Sequence, residues 1–232
     1  MKYKLLETFR ELFEGTIFRH RASTQGDYVA IQFFEDLYEL GRSPKYIDRV
    51  SSGLSVLNVA NTRVGVIARR GDGTFGEIVP HETPIAVPGY IVKRGQIATI
   101  EIGIEVKIVQ KAMIRQIGRV VSDLKDQVEH FKRKRGKPIT VGVAGINYAQ
   151  HYVSYEGEVT WPTTGKGRHK HPFQEAGEVE HRLKALAAPF YDEFLILQFI
   201  ATNDAPYPFQ WVDEKKTEQD YGAVLARVGG SY

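Results

Sequence analysis

The sequence predicts an α/β fold, a mixed β-sheet flanked by helices. Three observations predict it. An alternating strand, "IEIGIEVKI" at 100–108, is followed at once by a run with helical spacing, and that run leads into the near-continuous apolar stretch "ITVGVAGI" at 139–146. A strand with no polar alternation is expected to be covered on both faces, as in the middle of a helix-flanked sheet.

The elements follow in order. The first fifty residues read as helical: 2–14 is amphipathic, and "GDYVAIQFFEDLYELG" at 26–41 carries Val29, Ile31, Phe33, Phe34, Leu37 and Leu40 before stopping at Gly41. A third short helix is expected from the cap residue Ser43, with Pro44 at its first position, to about Gly53. From about Thr62 the period changes to two, through "RVGVIA" and a turn at "RRGDGTFG". Short β-rich runs broken by Pro80, Pro84, Pro88 and Gly89 come next, then a longer strand from Gln96 to Val109. The helix after it places Ile114, Ile117, Val120, Val121, Leu124, Val128 and Phe131 on one side. Beyond the apolar strand, 147–172 is rich in Tyr, Gly, Pro and His and is expected to form a long loop or arm. A helix over about 173–187, a strand at 193–201 and a helix over about 216–228 complete the chain. One domain is expected over 1–232: a helical part at 1–53, a core at 62–147, and an arm with a terminal αβα part at 148–232.

Composition excludes several classes. With 42% hydrophobic and 25% charged residues, the 232-residue chain is neither a disordered nor a fibrous type. It contains no cysteine, which rules out thiol catalysis, disulfide frameworks and cysteine-ligated metal, and fits a reducing, cytoplasmic setting. No window approaches 18 apolar residues, so no membrane partner is expected. The sequence also lacks a Walker loop, a dinucleotide-binding glycine motif and a Gly-x-Ser-x-Gly elbow, leaving motors, Rossmann oxidoreductases and α/β-hydrolases without support.

Net charge is only +3, but the cations are clustered in "FKRKRGK" at 131–137 and "KGRHKH" at 166–171. Lys166, Arg168, His169 and Lys170 are candidates for phosphate contact, as are Arg19 and Arg21 ahead of the second helix. A solvated helix end or an ordinary capped helix start would account for such runs equally well. Aromatic residues between 147 and 162 have the composition of a stacking surface for bases or sugars, or of a loop packed on the core. His169 and His171 lack a third nearby ligand, and Glu178 with His181 form a single Glu-x-x-His with no second copy.

The alternating strand raises the sharpest question. Ile100, Ile102, Ile104, Val106 and Ile108 point one way, while Glu101, Gly103, Glu105 and Lys107 point the other. On an edge strand those charges would form weak surface pairs. The elements that follow argue for an internal strand, where charges must be paired, metal-bound or functional. Gly103, between the two carboxylates, is expected to leave room for something to approach the backbone.

Glu105-Val106-Lys107 at the end of a strand, an upstream Asp72, and the helix and apolar strand that follow resemble the PD-(D/E)XK nuclease superfamily over roughly 62–147. The resemblance implies a restriction-endonuclease-like fold and a Mg²⁺-dependent DNA endonuclease, with Mn²⁺ able to substitute. Asp72, Glu105 and the Val106 carbonyl would be metal ligands, and Lys107 the base or electrostatic stabiliser. In such enzymes the metal activates a water for direct attack on the phosphodiester. It further implies Glu35 as an extra acidic ligand, Gln116 as a hydrogen-bonding group toward phosphate or water, a homodimer on DNA, and a role in restriction or antiviral defence. Glu35 reads otherwise as a solvated helix face, Gln116 as a helix-surface amide, and Asp72 as a turn residue with Glu101, Glu77 or Glu82 in its place. The alternative is a non-catalytic nucleic-acid-binding or assembly subunit that has kept a nuclease-like core. A metal-free interaction protein with salt bridges on this strand is a third reading.

Overall fold

A computed structural model of the chain describes residues 2–19, 24–63, 71–133 and 136–232, with 59–63 described by their main chain. Strands β1 (Ser55–Arg63), β2 (Gly73–Glu77), β3 (Arg94–Ile97), β4 (Ile102–Val109) and β5 (Ile139–Asn147) are followed by a small hairpin, β6 (Val153–Glu156) and β7 (Val159–Pro162), and then by β8 (Glu193–Ala201) and β9 (Phe209–Trp211). All but the hairpin join one mixed sheet in the order β3-β1-β2-β4-β5-β8-β9. The β4, β5 and β8 strands run parallel; β2 lies antiparallel to both β1 and β4.

Among the described residues six α-helices flank the sheet: α1 (Lys4–Glu11), α2 (Gln25–Leu40), α3 (Pro44–Ser52), α4 (Met113–Lys132), α5 (Phe173–Leu186) and α6 (Glu214–Ser231). On one face Phe9, Phe33, Phe34 and Tyr221 pack against Ile102, Ile104, Val106, Val143 and Leu197. On the other, Ile117 and Leu124 of α4 and Val179 and Leu183 of α5 cover Ala144 and Ile146. The wholly apolar reading of β5 corresponds to a strand buried along nearly its whole length. Ser43 accepts the Tyr46 N–H and Gly53 ends α3 at a φ of 73°, so both predicted stops of that helix stand.

Four expectations need correction. The helix expected over 2–14 stops at Glu11, and a turn carries the chain to Gly15 at a φ of 69°. The first strand begins at Ser55 rather than near Thr62, and most of "RVGVIA" lies outside the described residues. The single strand expected from Gln96 to Val109 is two strands, because the main chain crosses tightly at residues 98–101: a Cβ on Gly76 would lie 1.9 Å from the Thr99 carbonyl oxygen. Finally, the space left by Gly103 is filled from within, since a Cβ there would meet the Phe131 ring of α4 at 2.7 Å.

The arm expected over 147–172 is realised as the β6–β7 hairpin with Gly157 at its tip, φ 63°. Its base is anchored by Asn203, whose amide donates to the Val153 carbonyl at 2.7 Å and to the Tyr152 hydroxyl at 3.3 Å. Among the described residues no helix is long and apolar enough to cross a membrane.

Candidate active site

The register between β2 and β4 builds the site. Gly73 pairs with Ile104 and Thr74 with Gly103, so Asp72, one residue before β2, arrives beside Glu105 although the two are 33 positions apart. The Asp72 Oδ2 accepts the Val106 N–H at 2.8 Å, and the Asp72 N–H donates to Glu105 Oε2 at 3.4 Å. A residue in a strand directs its N–H and C=O to the same side, so the Val106 carbonyl also faces the Asp72 edge. Lys107 Nζ donates to Glu105 Oε1 at 2.5 Å. Of the predicted set, then, Asp72, Glu105, Val106 and Lys107 are brought together.

Two helices shape the surroundings. Gly26, in the first turn of α2, sits so close that a Cβ there would come within 2.7 Å of the Asp72 carboxyl carbon. The partial positive charge of a helix amino end thus rests on that carboxylate. From α4, Gln127 and Phe131 press on Gly71, where a Cβ would meet the Gln127 Nε2 and a Phe131 ring carbon at 2.8 Å each.

Burial pushes the Glu105 carboxyl up to about 7, and the like charge of Asp72 adds to this while Lys107 opposes it. Burial alone would depress Lys107, but Glu105, Asp72 and, more distantly, Asp123 of α4 outweigh it and hold the amine above its usual range. At neutral pH the pair therefore presents a firmly charged ammonium beside a carboxyl close to its titration midpoint. Tyr191 completes the inner wall; burial, then the charges of Glu105 and Asp72, raise its phenol, which donates to the Leu124 carbonyl at 2.9 Å.

Other candidates lie elsewhere. Glu35 is a correction on two counts: it is buried rather than on a solvated face, and both its oxygens are committed to the Ile91 and Val92 N–H groups at 2.9 Å each. It also lies nine residues beyond Gly26, about 13 Å along α2 from the end that touches Asp72. Glu101 is no substitute for Asp72, because it pairs with Arg49 at 2.8 Å and accepts from Ser55 at 2.9 Å and Tyr232 at 2.5 Å. Glu77 and Glu82 are exposed, at and beyond the far end of β2. Gln116, in the first turn of α4, donates to the Lys111 carbonyl at 3.0 Å.

Lys166, Arg168, His169 and Lys170 are exposed on the loop after β7, which folds back through Thr164 and Gly165 N–H bonds to the His169 carbonyl, 2.9 Å each. Arg19 is exposed next to Phe18, whose N–H is held by the same Asn203 that anchors the arm, at 2.8 Å. Arg21 lies outside the described residues.

Sequence reasoning missed Gly26, Asp123 and Tyr191. A usable signal existed for one: Asp123 and Gln127 are spaced i, i+4 along a flank of the apolar stripe of α4, a polar seam beside a buried face. Among the described residues no group of three His, Cys, Asp or Glu side chains converges on one point. Comparisons of the chain with protein-family models, with curated proteins and with solved structures each gave no match. Function is therefore read from the site's own geometry.

Proposed function

We propose that the chain is a Mg²⁺-dependent DNA endonuclease of the PD-(D/E)XK type. One observation carries this reading: two carboxylates and a lysine amine meet at the junction of β2 and β4, with Glu105 driven toward its titration midpoint by burial and by Asp72. The order of elements, an antiparallel β2–β4 pair followed by α4 and a parallel β5, supports it as well.

The donor set fits a hard divalent cation. Two carboxylates crowded in a dry place repel one another, and oxygen donors of this kind suit Mg²⁺ or Mn²⁺ better than soft metals. Asp72, Glu105 and the Val106 carbonyl would hold the ion. When bound, it supplies Lewis acidity toward phosphate oxygen and toward water. The other tasks fall to the chain. The amino end of α2 turns its partial positive charge toward Asp72, and Glu105 must lose its proton for the site to work. Lys107, charged throughout the neutral range, leaves the carboxylate to stabilise the negative charge that grows on the phosphoryl oxygens in the transition state. Tyr191 and the packed flank of α4 keep bulk water from the inner side. Arg19 and the Lys166, Arg168, His169 and Lys170 loop contribute backbone contacts whose strength falls with salt. Cutting both strands of a duplex needs two such sites, so a homodimer is the expected form on DNA. The role the family implies is restriction or antiviral defence.

The test is direct. The purified chain with Mg²⁺ or Mn²⁺ is expected to cleave plasmid DNA, and Glu105→Ala and Lys107→Ala to lower the rate about 10²–10³-fold or more while keeping a native circular dichroism spectrum. Equal cleavage by both variants would overturn the reading. DNA binding without metal-dependent cleavage would instead make the chain a non-catalytic nucleic-acid-binding subunit.

A further inference from the structure

A second feature lies beyond the carboxyl end of β4. A cavity of about 250 Å³ opens between the amino end of α4 and the β6–β7 hairpin. Lys111 and Arg115 line it from the α4 side, and Trp161, Arg168 and Lys170 from the arm, with Glu156 as the one carboxylate in its wall. Trp161 is 51% exposed, an unusual position for an indole that has a core available to it.

The arrangement is built rather than incidental. The Ser154 hydroxyl, fully buried on β6, accepts from the Lys111 amine and donates to the Trp161 carbonyl at 3.3 Å. One hydroxyl thereby fixes a cation from the end of the catalytic strand and the backbone of an aromatic residue from the arm. Burial lowers the Lys111 pKa, against an opposing pull from Glu156, so its ammonium is short of the solvation that an anionic ligand would restore. Lys111 lies four residues beyond Lys107, a reach of at most about 13 Å along an extended chain. That reach equals roughly four nucleotides of a stacked strand.

We infer that this pocket receives one unstacked nucleotide of a single strand, its base lying on the Trp161 indole and its phosphate held among Lys111, Arg115, Arg168 and Lys170. The inference rests on the nucleic-acid reading above and adds the substrate class, DNA with an unpaired strand or a splayed-out base. The size decides against a duplex: the cavity is smaller than the roughly 300–1,000 Å³ that encloses drug-sized ligands, so it admits a single nucleotide-sized group. The chemistry decides against a bare anion site, because an indole beside cations is the pairing that holds single strands, and bases inside a duplex hide their faces from it.

The experiment is done on the full chain in EDTA, where binding is read without cleavage. Probes are an eight-nucleotide single strand, the same sequence as a duplex, a deoxynucleoside monophosphate and inorganic phosphate. Single strand and monophosphate are expected to quench the fluorescence of Trp161, one of only two tryptophans in the chain. Trp161→Ala is expected to weaken single-strand binding, measured by anisotropy, about tenfold. Arg168→Ala with Lys170→Ala is expected to weaken it and flatten its salt dependence. These side chains are exposed, so loss of folding does not cloud the result. Inorganic phosphate competing as well as the monophosphate, duplex bound more tightly than single strand, or unchanged affinity in Trp161→Ala would each overturn the proposal. The two readings fail separately. Single-strand binding through Trp161 with no Mg²⁺-dependent cleavage sinks the nuclease alone, whereas Glu105-dependent cleavage with full affinity in Trp161→Ala sinks the pocket alone.

Discussion

Two sets of buried carboxylates, one on α2 and one on β4, are opposites. On α2, Glu35 and Asp36 are 1% and 0% exposed; on β4, Glu105 is 3% exposed. Burial does not distinguish them, but their partners do. Glu35 accepts two backbone N–H groups and so fixes the 91–92 segment over the helix. Asp36 accepts the Lys4 and Leu5 N–H groups at 2.8 and 3.0 Å and the Tyr221 hydroxyl at 2.8 Å, capping from a distance the amino end of α1, which has no side-chain cap of its own. Glu105 receives one long amide bond, one amine and a like-charged neighbour. The lesson is that a buried acid saturated with amide donors is a fastener, whereas one facing another acid is pushed toward its protonated form.

Mutations break the comparison in a defined order. The largest effects on stability belong to the fasteners: Glu35→Ala and Asp36→Ala each strand at least two amide N–H groups and are expected to cost about 2–4 kcal/mol, read from urea unfolding. A loss within experimental error would erase the distinction. An effect of opposite sign is expected at the site. The Glu105 carboxyl titrates near 4.5 when unfolded and about 7 when folded, so its stabilising contribution is complete below about 4.5 and vanishes as pH rises through about 7. Glu105→Gln should therefore match the wild type near pH 4.5 and exceed it by about 3 kcal/mol at pH 8; a parallel pH dependence of the two proteins would contradict this. The smallest effect sharpens the pair itself. Asp72→Asn removes the charge that adds to burial, so the Glu105 midpoint, followed by carbon-13 NMR of the carboxyl, should move below about 7 but stay above its unfolded value.

Much of the scaffold was legible because local pattern and tertiary environment agree. The stripe from Ile117 to Phe131 is the buried side of α4, the apolar 139–146 run is a central strand, and Ser43-Pro44 with Gly53 brackets α3. The association of Asp72, Glu105 and Lys107 was legible as a pattern, since the β2–β4 register turns a 33-residue gap into contact. What escaped depends on distant contacts. Residues 98–101 continue the strand alternation without a breaker, and only the close pass at Gly76, with Arg49 and Tyr232 taking Glu101, shows why the strand ends there. Glu35 carries no local sign that the 91–92 segment will close over it. The Ser154 link between Lys111 and Trp161 likewise joins residues that nothing in the linear order associates.

The hairpin with Gly157 at its tip grows from a base clamped at Asn203, while the acid pair rests on strand pairing inside the sheet. The hairpin and the acid pair thus stand on separate supports. The tip is accordingly the place to graft a longer finger or a foreign recognition loop, with the acid pair left untouched.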